Sequence, residues 1–358
     1  MNKFINILCV SVIAVYMVHC TSKEVENKPT NIILLIGDGM GLSQISAGVM
    51  ESEQTLNFER FKSIGLSKTS SSSHKITDSA AGATALSIGE KTYNQAIGVD
   101  SDTIPKETIM EWCSKNGYET GCVVTSSITH ATPASFYAHQ PFRSMNEEIA
   151  LDLLNAPLDF IAGGGLTYFM ERSDQRNLIQ ELSDAGVDIR QTTADFPESI
   201  EKVGQKICYL LAEDGMMRAE NRMDYLRTFS GKAIDYLSAS DSGFFLLIEG
   251  SQIDWGGHNN DVNYVVNELI DFDKAVGLCL DYAEKNPNTL VIVTADHETG
   301  GLSLRSETGK YEGLSYTFST GGHTASMVPV FAFGKNAELF QGIYENTEIY
   351  QKMMTALH

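Results

Sequence analysis

The sequence has little of what a nucleic-acid-binding, disulfide-bonded or membrane-spanning protein needs. Its net charge is −20, and it holds no basic stripe that would bind a phosphate backbone by releasing counterions. The six cysteines show no C-x-x-C or zinc-finger spacing. The N-terminal apolar run, Phe4–Val18, has about 15 residues, too few for a spanning helix. The 358 residues, 42% of them hydrophobic, are enough to bury a large core.

The N-terminus has the charged-then-apolar layout of a secretory signal. A basic residue precedes the apolar run, and Cys20 follows it, before a polar stretch over residues 21–29 that we interpret as a linker. We predict a signal over residues 1–20 and an exported protein, periplasmic or lipid-anchored at the cell envelope through Cys20. His19 argues against the lipid anchor, because a small residue is expected there, so an ordinary cleaved signal is the alternative.

Four cysteines remain in the body of the chain, and we predict that they are buried free thiols: Cys113, Cys122, Cys208 and Cys279. Cys113 and Cys122 lie at a predicted helix-to-strand corner. A disulfide between them is the alternative in an oxidising compartment.

Short runs rich in Val, Ile and Leu predict the buried strands of a parallel sheet. These runs are Asn31–Ile36, Glu119–Thr125, Asp159–Ala162, Lys206–Ala212, Phe244–Ile248, Leu290–Thr294 and Val328–Ala332. Amphipathic segments between most of them predict helices: Lys106–Ser114, Ser144–Leu154, Leu178–Ala185, Arg218–Ser238, Asn260–Glu284 and Ile343–Thr355. The alternation predicts an α/β fold, a three-layer sandwich whose large, mostly parallel central sheet has helices on both faces. No repeat or low-complexity linker divides residues 30–358, which we expect to form one domain.

Polar residues follow several of the predicted strands, where ligands bind in open α/β sheets. Asp38 follows the first strand, Glu249 the fifth, and Asp296 with His297 the sixth, while three hydroxyl residues, 125–127, end the second. One such carboxylate is usually a turn or helix cap. Four strands that end in polar groups predict a site at this edge.

The candidate metal ligands fall into sets according to chemical hardness. One set offers nitrogen and oxygen from three residues and leaves a fourth position open, as in catalytic zinc sites: Asp254, His258 and His323. Asp296 and His297 offer the same chemistry to a second ion. Glu249 and Thr132 offer only oxygen, which suits magnesium. Each histidine alone would more often be structural, but their place beside strand-end carboxylates favours a metal centre.

A candidate nucleophile, Ser79, lies where a run of small residues predicts a helix start. The N-terminus of a helix favours an anion and presents backbone N–H groups to a phosphate. Taken alone, Asp78 or Ser79 would be only an N-cap.

These segments resemble, in order, those of the alkaline phosphatases from about Thr30 to Gly334. The matching blocks are IGDGMG (Ile36–Gly41), TDSAAGATALSIGEKTYNQAIGVD (Thr77–Asp100), THATPASFYAH (Thr129–His139), IEGSQIDWGGH (Ile248–His258), TADHETGG (Thr294–Gly301) and GGHT (Gly321–Thr324). The resemblance implies hydrolysis of phosphate monoesters to alcohol and phosphate through a phosphoserine on Ser79, with two zinc ions and one magnesium ion. It also implies that Arg143, in the pattern AH-x-x-x-R, binds the phosphate.

By this resemblance, each ion has its own set of ligands. One zinc is held by Asp254, His258 and His323, and the other is surrounded by Asp38, Ser79, Asp296 and His297. Magnesium is held by Asp38, Thr132 and Glu249. The residues expected to contact these ligands without binding an ion themselves are Asp78, His130 and Trp255.

His130 and Trp255 stand at positions that vary within the family. His130 replaces an aspartate of some members, and is either a neighbour of the oxygen-rich site that alters its ion preference or a structural residue. Trp255 replaces a lysine of some members and is expected to wall the pocket.

The segment between His297 and His323 is short compared with the crown insertion of many members. This predicts an open entrance and broad specificity for the alcohol. The resemblance also implies a homodimer, since members of the family are commonly dimeric, but the short segment weakens that expectation.

Two other readings remain open. One is a phosphodiesterase, sulfatase or phosphomutase of the same broad superfamily, although the sulfatase motif C-x-P-x-R is missing. The other is a phosphate-binding or adhesive surface lipoprotein that keeps the fold without the chemistry, which would require the loss of a ligand or of the nucleophile.

Overall fold

The computed structural model describes residues 30–192, 205–309 and 313–358. The predicted signal, the Cys20 lipid site and the linker lie outside the described residues. The described strands are β1 Asn31–Gly37, β2 Ser63–Lys68, β3 Glu119–Ser127, β4 Phe160–Gly164, β5 Asp188–Arg190, β6 Ile207–Leu210, β7 Phe244–Gly250, β8 Thr289–Thr294, β9 Glu298–Thr299, β10 Leu302–Ser306, β11 Leu314–Phe318, β12 His323–Thr324, β13 Val328–Gly334 and β14 Gly342–Glu345. The α-helices are α1 Leu42–Glu51, α2 Ser79–Ile88, α3 Ile109–Lys115, α4 Ala131–Ala134, α5 Asn146–Asp152, α6 Thr167–Met170, α7 Leu178–Asp184, α8 Tyr225–Leu237, α9 Gln252–His258, α10 Val262–Lys285 and α11 Thr347–Leu357.

Ten of these strands form one large sheet in the order β14-β2-β13-β8-β1-β7-β3-β4-β6-β5. All of its strands run in one direction except β13, which pairs antiparallel with both β8 and β2. The predicted mostly parallel sheet is therefore confirmed, but the expectation that Val328–Ala332 is a parallel strand is wrong. The chain stays beyond the carboxyl end of β8 through β9 to β12, so it enters β13 from that end.

Helices cover both faces of the sheet, as predicted. Along β1, Ile33 and Leu35 pack into a core with α1, α8 and α10. The alternate residues Ile32, Leu34 and Ile36 pack on the other face with α2, α3 and α11. Successive side chains of a strand point to opposite faces of the sheet. The continuous apolar run of β1 therefore contributes to two separate cores.

Two predicted helices begin four or more residues later than expected. The segment from Arg218 becomes an α-helix only at Tyr225, because Met223 and Asp224 have φ of 50° and 58°, outside the helical region. Ile343 lies in β14, which pairs parallel with β2, and the last helix starts at Thr347. Periodicity did not separate this edge strand from the helix that follows it.

The four cysteines of the body are buried and free, as predicted. In the part of the chain that the structure describes, no helix combines the length and apolar composition needed to cross a membrane.

Candidate active site

The carboxyl ends of the central strands bring the predicted carboxylates together. Ile36 of β1 is level with Glu249 of β7 on one side and with Thr294 of β8 on the other, so Asp38, Glu249 and Asp296 meet at one edge. The turn after β1 requires glycine at position 39, where φ is +71° and a Cβ would lie 2.8 Å from the Cα of Asp254. The Gly39 N–H donates to Asp296 Oδ1 at 3.2 Å.

Helix α2 places Ser79 at this edge. Its N-cap is Asp78, whose carboxylate accepts from the Ala81 N–H at 3.1 Å. All ten residues of the helix are buried, and a Cβ on Gly82 would lie 3.0 Å from the Asp296 carbonyl oxygen. The small residues of α2 therefore let the helix approach the end of β8, which brings Ser79 Oγ within 3.2 Å of His297 Nε2.

Asp254, His258 and His323 form the first group of candidate metal ligands. His258 Nδ1 donates to the Gly321 carbonyl at 2.7 Å, and His323 Nδ1 donates to the Thr77 carbonyl at 2.8 Å. A carbonyl oxygen only accepts, so these contacts place the neutral ring's proton on Nδ1 and leave a lone pair on Nε2. The two Nε2 atoms face each other at 3.2 Å and lie 3.4 and 3.6 Å from the Asp254 carboxylate. The Nε2 lone pairs of these two neutral rings and the Asp254 carboxylate oxygens therefore converge on one position, where a cation could bind.

Asp38, Asp296 and His297 form the second group, beside Ser79. His297 Nε2 lies 3.4 Å from Asp38 Oδ1 and 3.2 Å from Asp296 Oδ2. The Thr299 hydroxyl donates to Asp254, so it accepts from His297 Nδ1 at 3.1 Å, and His297 Nε2 also carries a lone pair. Thr299 thus orients ligands of both groups.

The spacing inside both groups matches tetrahedral metal coordination. Two ligands at ~2.0–2.1 Å from a tetrahedral ion lie roughly 3.3 Å apart. The observed separations of 3.2 to 3.6 Å between converging nitrogen and oxygen atoms have this value. The rings of His297 and His323 stack with centroids 3.6 Å apart, so the two groups are immediate neighbours. Residues of both groups therefore fit a pair of ions.

Asp38, Glu249 and His130 form a third group. The Thr132 hydroxyl lies 3.5 Å from Asp38 Oδ2, and the Ser126 hydroxyl donates to Glu249 Oε2 at 3.2 Å. Asp38 belongs to the second group as well, so its two oxygens face different points. The structure brings His130, which we placed behind the ligands, into this oxygen-rich group.

Burial makes the carboxylates of this edge costly to ionise without a cation. Burial and the charges of Asp296, Asp254 and Glu249 hold the pKa of Asp38 well above its usual range. Burial raises the pKa of Glu249 to about 8. In contrast, burial and the nearby His323 hold the pKa of His297 well below its usual range, so its ring is neutral. Neutral imidazoles beside acids that need a counter-charge are the donor set of a metal centre.

Arg143 lies against Asp78, the residue before the candidate nucleophile Ser79. Its guanidinium contacts Asp78 Oδ2 and His130 Nε2, each at 3.3 Å. Burial and the charge of Arg143 lower the pKa of His130 to about 3, so this ring accepts from the guanidinium. Trp255 contacts the His130 ring edge-on, with centroids 6.2 Å apart.

Some residues that orient the site were not found from the sequence. Thr299 stood in a glycine-rich turn, and the carbonyls of Thr77 and Gly321 carry no side-chain signal. His139 had appeared only as part of a motif, yet its Nδ1 faces the Gly98 carbonyl at 2.7 Å and its Nε2 faces Glu111 Oε1 at 3.1 Å. Acceptors at both nitrogens identify a protonated ring that holds the segment leading to Arg143.

We expect the His139–Glu111 pair to stabilise the protein more at pH 6 than at pH 9. Although burial opposes its charge, the hydrogen bonds to Glu111 and Gly98 raise the pKa of His139. The Glu111 pKa is lowered, since hydrogen bonds from His139 and Thr108 outweigh its burial. The contribution of His139 is complete below its ordinary value of ~6.5 and is lost as pH rises through its raised pKa. That of Glu111 is present above ~4.3 and is lost as pH falls through its lowered pKa.

Urea unfolding of Glu111→Gln measures this contribution. The amide keeps the bond to the Thr108 N–H, and the free energy of unfolding should fall by ~1 kcal/mol at pH 6 and by clearly less at pH 9. Glu107→Gln removes an exposed partner of Lys115, which stays charged, and serves as the control. Equal losses at both pH values would contradict the assignment of a charged His139.

Comparison with known proteins gives a consistent result. The family model described as alkaline phosphatase matches residues 29–317. The chain is 33% identical to alkaline phosphatase 3 of Bacillus subtilis, over 91% of this chain and 88% of that protein. It is 32% identical to the alkaline phosphatase of Escherichia coli, over 93% and 87%. The structure of the alkaline phosphatase from the Antarctic bacterium TAB5 superposes with a TM-score of 0.88 at 48% identity, over 92% of this chain and 98% of that one. Two variants of the TAB5 enzyme, with a histidine replaced by aspartate or glutamate, contain bound magnesium.

Proposed function

Because this chain belongs to the alkaline phosphatase family and is a phosphoric monoester hydrolase, we propose that Ser79 is its nucleophile and forms a phosphoserine. The observation that carries this proposal is the 3.2 Å contact between Ser79 Oγ and His297 Nε2, at the edge of two groups of converging acceptors. A serine hydroxyl is a weak nucleophile until a cation or base lowers its pKa.

The donor sets support two zinc ions and one magnesium ion. Zinc fits the groups that contain histidine: Asp254, His258 and His323 for one ion, and Asp38, Asp296, His297 and Ser79 for the other. Magnesium fits the oxygens of Asp38, Thr132 and Glu249. Magnesium in the TAB5 variants supports a third ion, and His130 is the residue of this chain that would modify its preference. When bound, the ions lower the pKa of the Ser79 hydroxyl and of water and neutralise the leaving oxygen.

The protein residues hold the phosphoryl group in line. In the first step the Ser79 hydroxyl gives its proton to solvent, Ser79 Oγ forms a bond to phosphorus, the bond to the alcohol oxygen breaks, and the alcohol takes a proton from solvent. In the second step water attacks phosphorus, the bond between phosphorus and Ser79 Oγ breaks, one proton of the water returns to Ser79 Oγ through solvent, and inorganic phosphate leaves. His297 keeps Nε2 toward Ser79 because its Nδ1 proton is committed to Thr299. The N-terminus of α2 favours the negative charge that collects on the phosphoryl oxygens.

Arg143 is proposed to bind two of the phosphoryl oxygens, which form and break no bond during the transfer. Its contact with Asp78, the residue before Ser79, holds the planar guanidinium group of Arg143 near Ser79. Arg143→Lys should lower kcat/KM for an aryl phosphate roughly 10- to 100-fold, because a lysine cannot pair with two oxygens at once. Steady-state kinetics measures this, with Arg176→Lys, a surface arginine that pairs with Glu181, as the control. A change below twofold would remove Arg143 from phosphate binding.

One assay tests the function as a whole. Purified protein is given an aryl phosphate and an aryl phosphodiester from neutral to alkaline pH, before and after chelation, and zinc and magnesium are added back separately. We expect faster turnover of the monoester, because the cationic site favours a dianion, and loss of activity on chelation that zinc restores. Faster diester turnover, or full activity in metal-stripped protein, would refute the proposal.

We also propose that the protein is exported and is held at the cell envelope by a lipid on Cys20. Residues 30–358 are proposed to form one catalytic domain. Between His297 and His323 the described residues include the antiparallel strand pair β10–β11, and the shortness of this segment supports an open entrance. Mass spectrometry of the membrane fraction would detect a lipid on Cys20, and light scattering would distinguish a homodimer from a monomer.

A further inference from the structure

A polar pocket adjoins Arg143 and is not used by the chemistry described so far. Its volume is about 330 Å³, and its walls include Arg143, His130, Asn146, Tyr168, Asp214 and Trp255. Trp255 follows Asp254 in α9, and Arg143 contacts Asp78, the residue before Ser79, so the pocket adjoins the candidate active site.

The walls of the pocket carry an aromatic surface and one carboxylate. Tyr168 donates its hydroxyl to Asp214 Oδ1 at 3.3 Å, which leaves the other oxygen of Asp214 available. Among the described residues that line the pocket, Arg143 is the only Lys or Arg, and its guanidinium already contacts Asp78 and His130. A substrate with a second anionic group would be repelled by Asp214, and no unpaired Lys or Arg among the described lining residues would offset that repulsion. An indole, a phenol and a carboxylate are instead the groups that bind a cationic nitrogen.

Backbone contacts fix these walls in place. The Met216 N–H donates to the Thr125 carbonyl at 3.0 Å, and Gln252 donates to the Met216 carbonyl at 2.7 Å. A Cβ on Gly215 would lie 2.5 Å from the Trp255 ring, so the backbone next to Asp214 packs directly on the indole. The segment that carries Asp214 is therefore held against the end of β3 and against Trp255.

Farther along the same segment, a buried ion cluster adds support. Arg222 donates to the Met217 carbonyl at 3.0 Å and pairs with Glu268 and Asp271 of α10. The segment that carries Asp214 is thus held by contacts with β3 and α9, and the residues that follow it are held by α10.

We propose that this pocket is a subsite for the alcohol of the substrate and that, within a broad range of alcohols, it favours monoesters of amino alcohols, whose cationic nitrogen would lie between Trp255 and Asp214. The inference rests on the proposed phosphatase function and names its substrate class. Charge and ring contacts favour a substituted ammonium group over a neutral group of the same shape.

The test compares two substrates that differ only in charge: phosphocholine and its neutral isostere, 3,3-dimethylbutyl phosphate. Release of inorganic phosphate gives kcat/KM for each at pH 9, where the quaternary ammonium remains charged. We expect wild-type protein to prefer phosphocholine about tenfold, because an aromatic wall and a carboxylate each favour the cation. Asp214→Asn should reduce the preference below about threefold. Asp241→Asn, an exposed aspartate outside this pocket, removes the same charge and should keep the full preference.

Two results would overturn the subsite: equal kcat/KM for both substrates in wild-type protein, or an undiminished preference in Asp214→Asn. An equal loss of preference in Asp241→Asn would also overturn it, because the net charge of the protein would then explain the preference. Failure to hydrolyse either substrate or an aryl phosphate would instead refute the phosphatase function itself, so the two failures are distinguishable.

Discussion

Ser79→Ala is expected to lower kcat for an aryl phosphate by about 10³-fold or more, because the proposed covalent step requires the Ser79 hydroxyl. Ser79 is 2% exposed and its hydroxyl faces His297, so the substitution removes one oxygen without disturbing the core. The metal content, measured by mass spectrometry, should stay close to wild type, since the carboxylates and imidazoles remain. The expected result is an inactive, metal-loaded and folded protein.

The control for this variant is Ser87→Ala in the same helix, where the hydroxyl only donates to backbone carbonyls of Thr84 and Ser135. It should lose some stability and little activity. After quenching in acid, wild-type protein incubated with labelled phosphate should retain label on Ser79, and Ser79→Ala should retain none. A Ser79→Ala protein with more than about a tenth of wild-type kcat would exclude the phosphoserine mechanism.

Asp38→Ala is expected to remove two metal ions and to lower kcat/KM by about 10³-fold or more. Asp38 is shared by the second and third groups of candidate ligands, whereas Asp254 belongs to the first group alone. Elemental analysis should therefore give about three ions for wild-type protein, about two for Asp254→Ala and about one for Asp38→Ala.

Asp102→Ala, which changes an exposed aspartate outside these groups, should keep the wild-type metal content. Equal metal loss in Asp38→Ala and Asp254→Ala would show that Asp38 does not join two sites. A single ion in wild-type protein would contradict the two-ion scheme, whatever the activity.

The sequence predicted most of the central sheet because buried parallel strands are continuous apolar runs of Val, Ile and Leu. It did not predict β2, β5 or β14, which are short or lie toward the sheet edges. It also could not give the direction of β13, because direction depends on where the chain travels between strands and not on the residues of the strand.

The ligand residues could be predicted for a similar reason. Asp38, Glu249 and Asp296 follow strand ends, and parallel strands bring their carboxyl ends to one edge. Chain order and side-chain chemistry therefore determined the fold class, the edge that carries the site and the residue types able to hold metal.

Only the tertiary structure decided how those residues face one another. His323 lies far along the chain from Asp254, and the proton position on its ring depends on the Thr77 carbonyl of a third segment. The same holds for His297, which Thr299 orients, and for Asp214, which folding places beside Trp255. Hydrogen bonds and contacts between segments distant in sequence fix these orientations, and local sequence patterns carry no information about them.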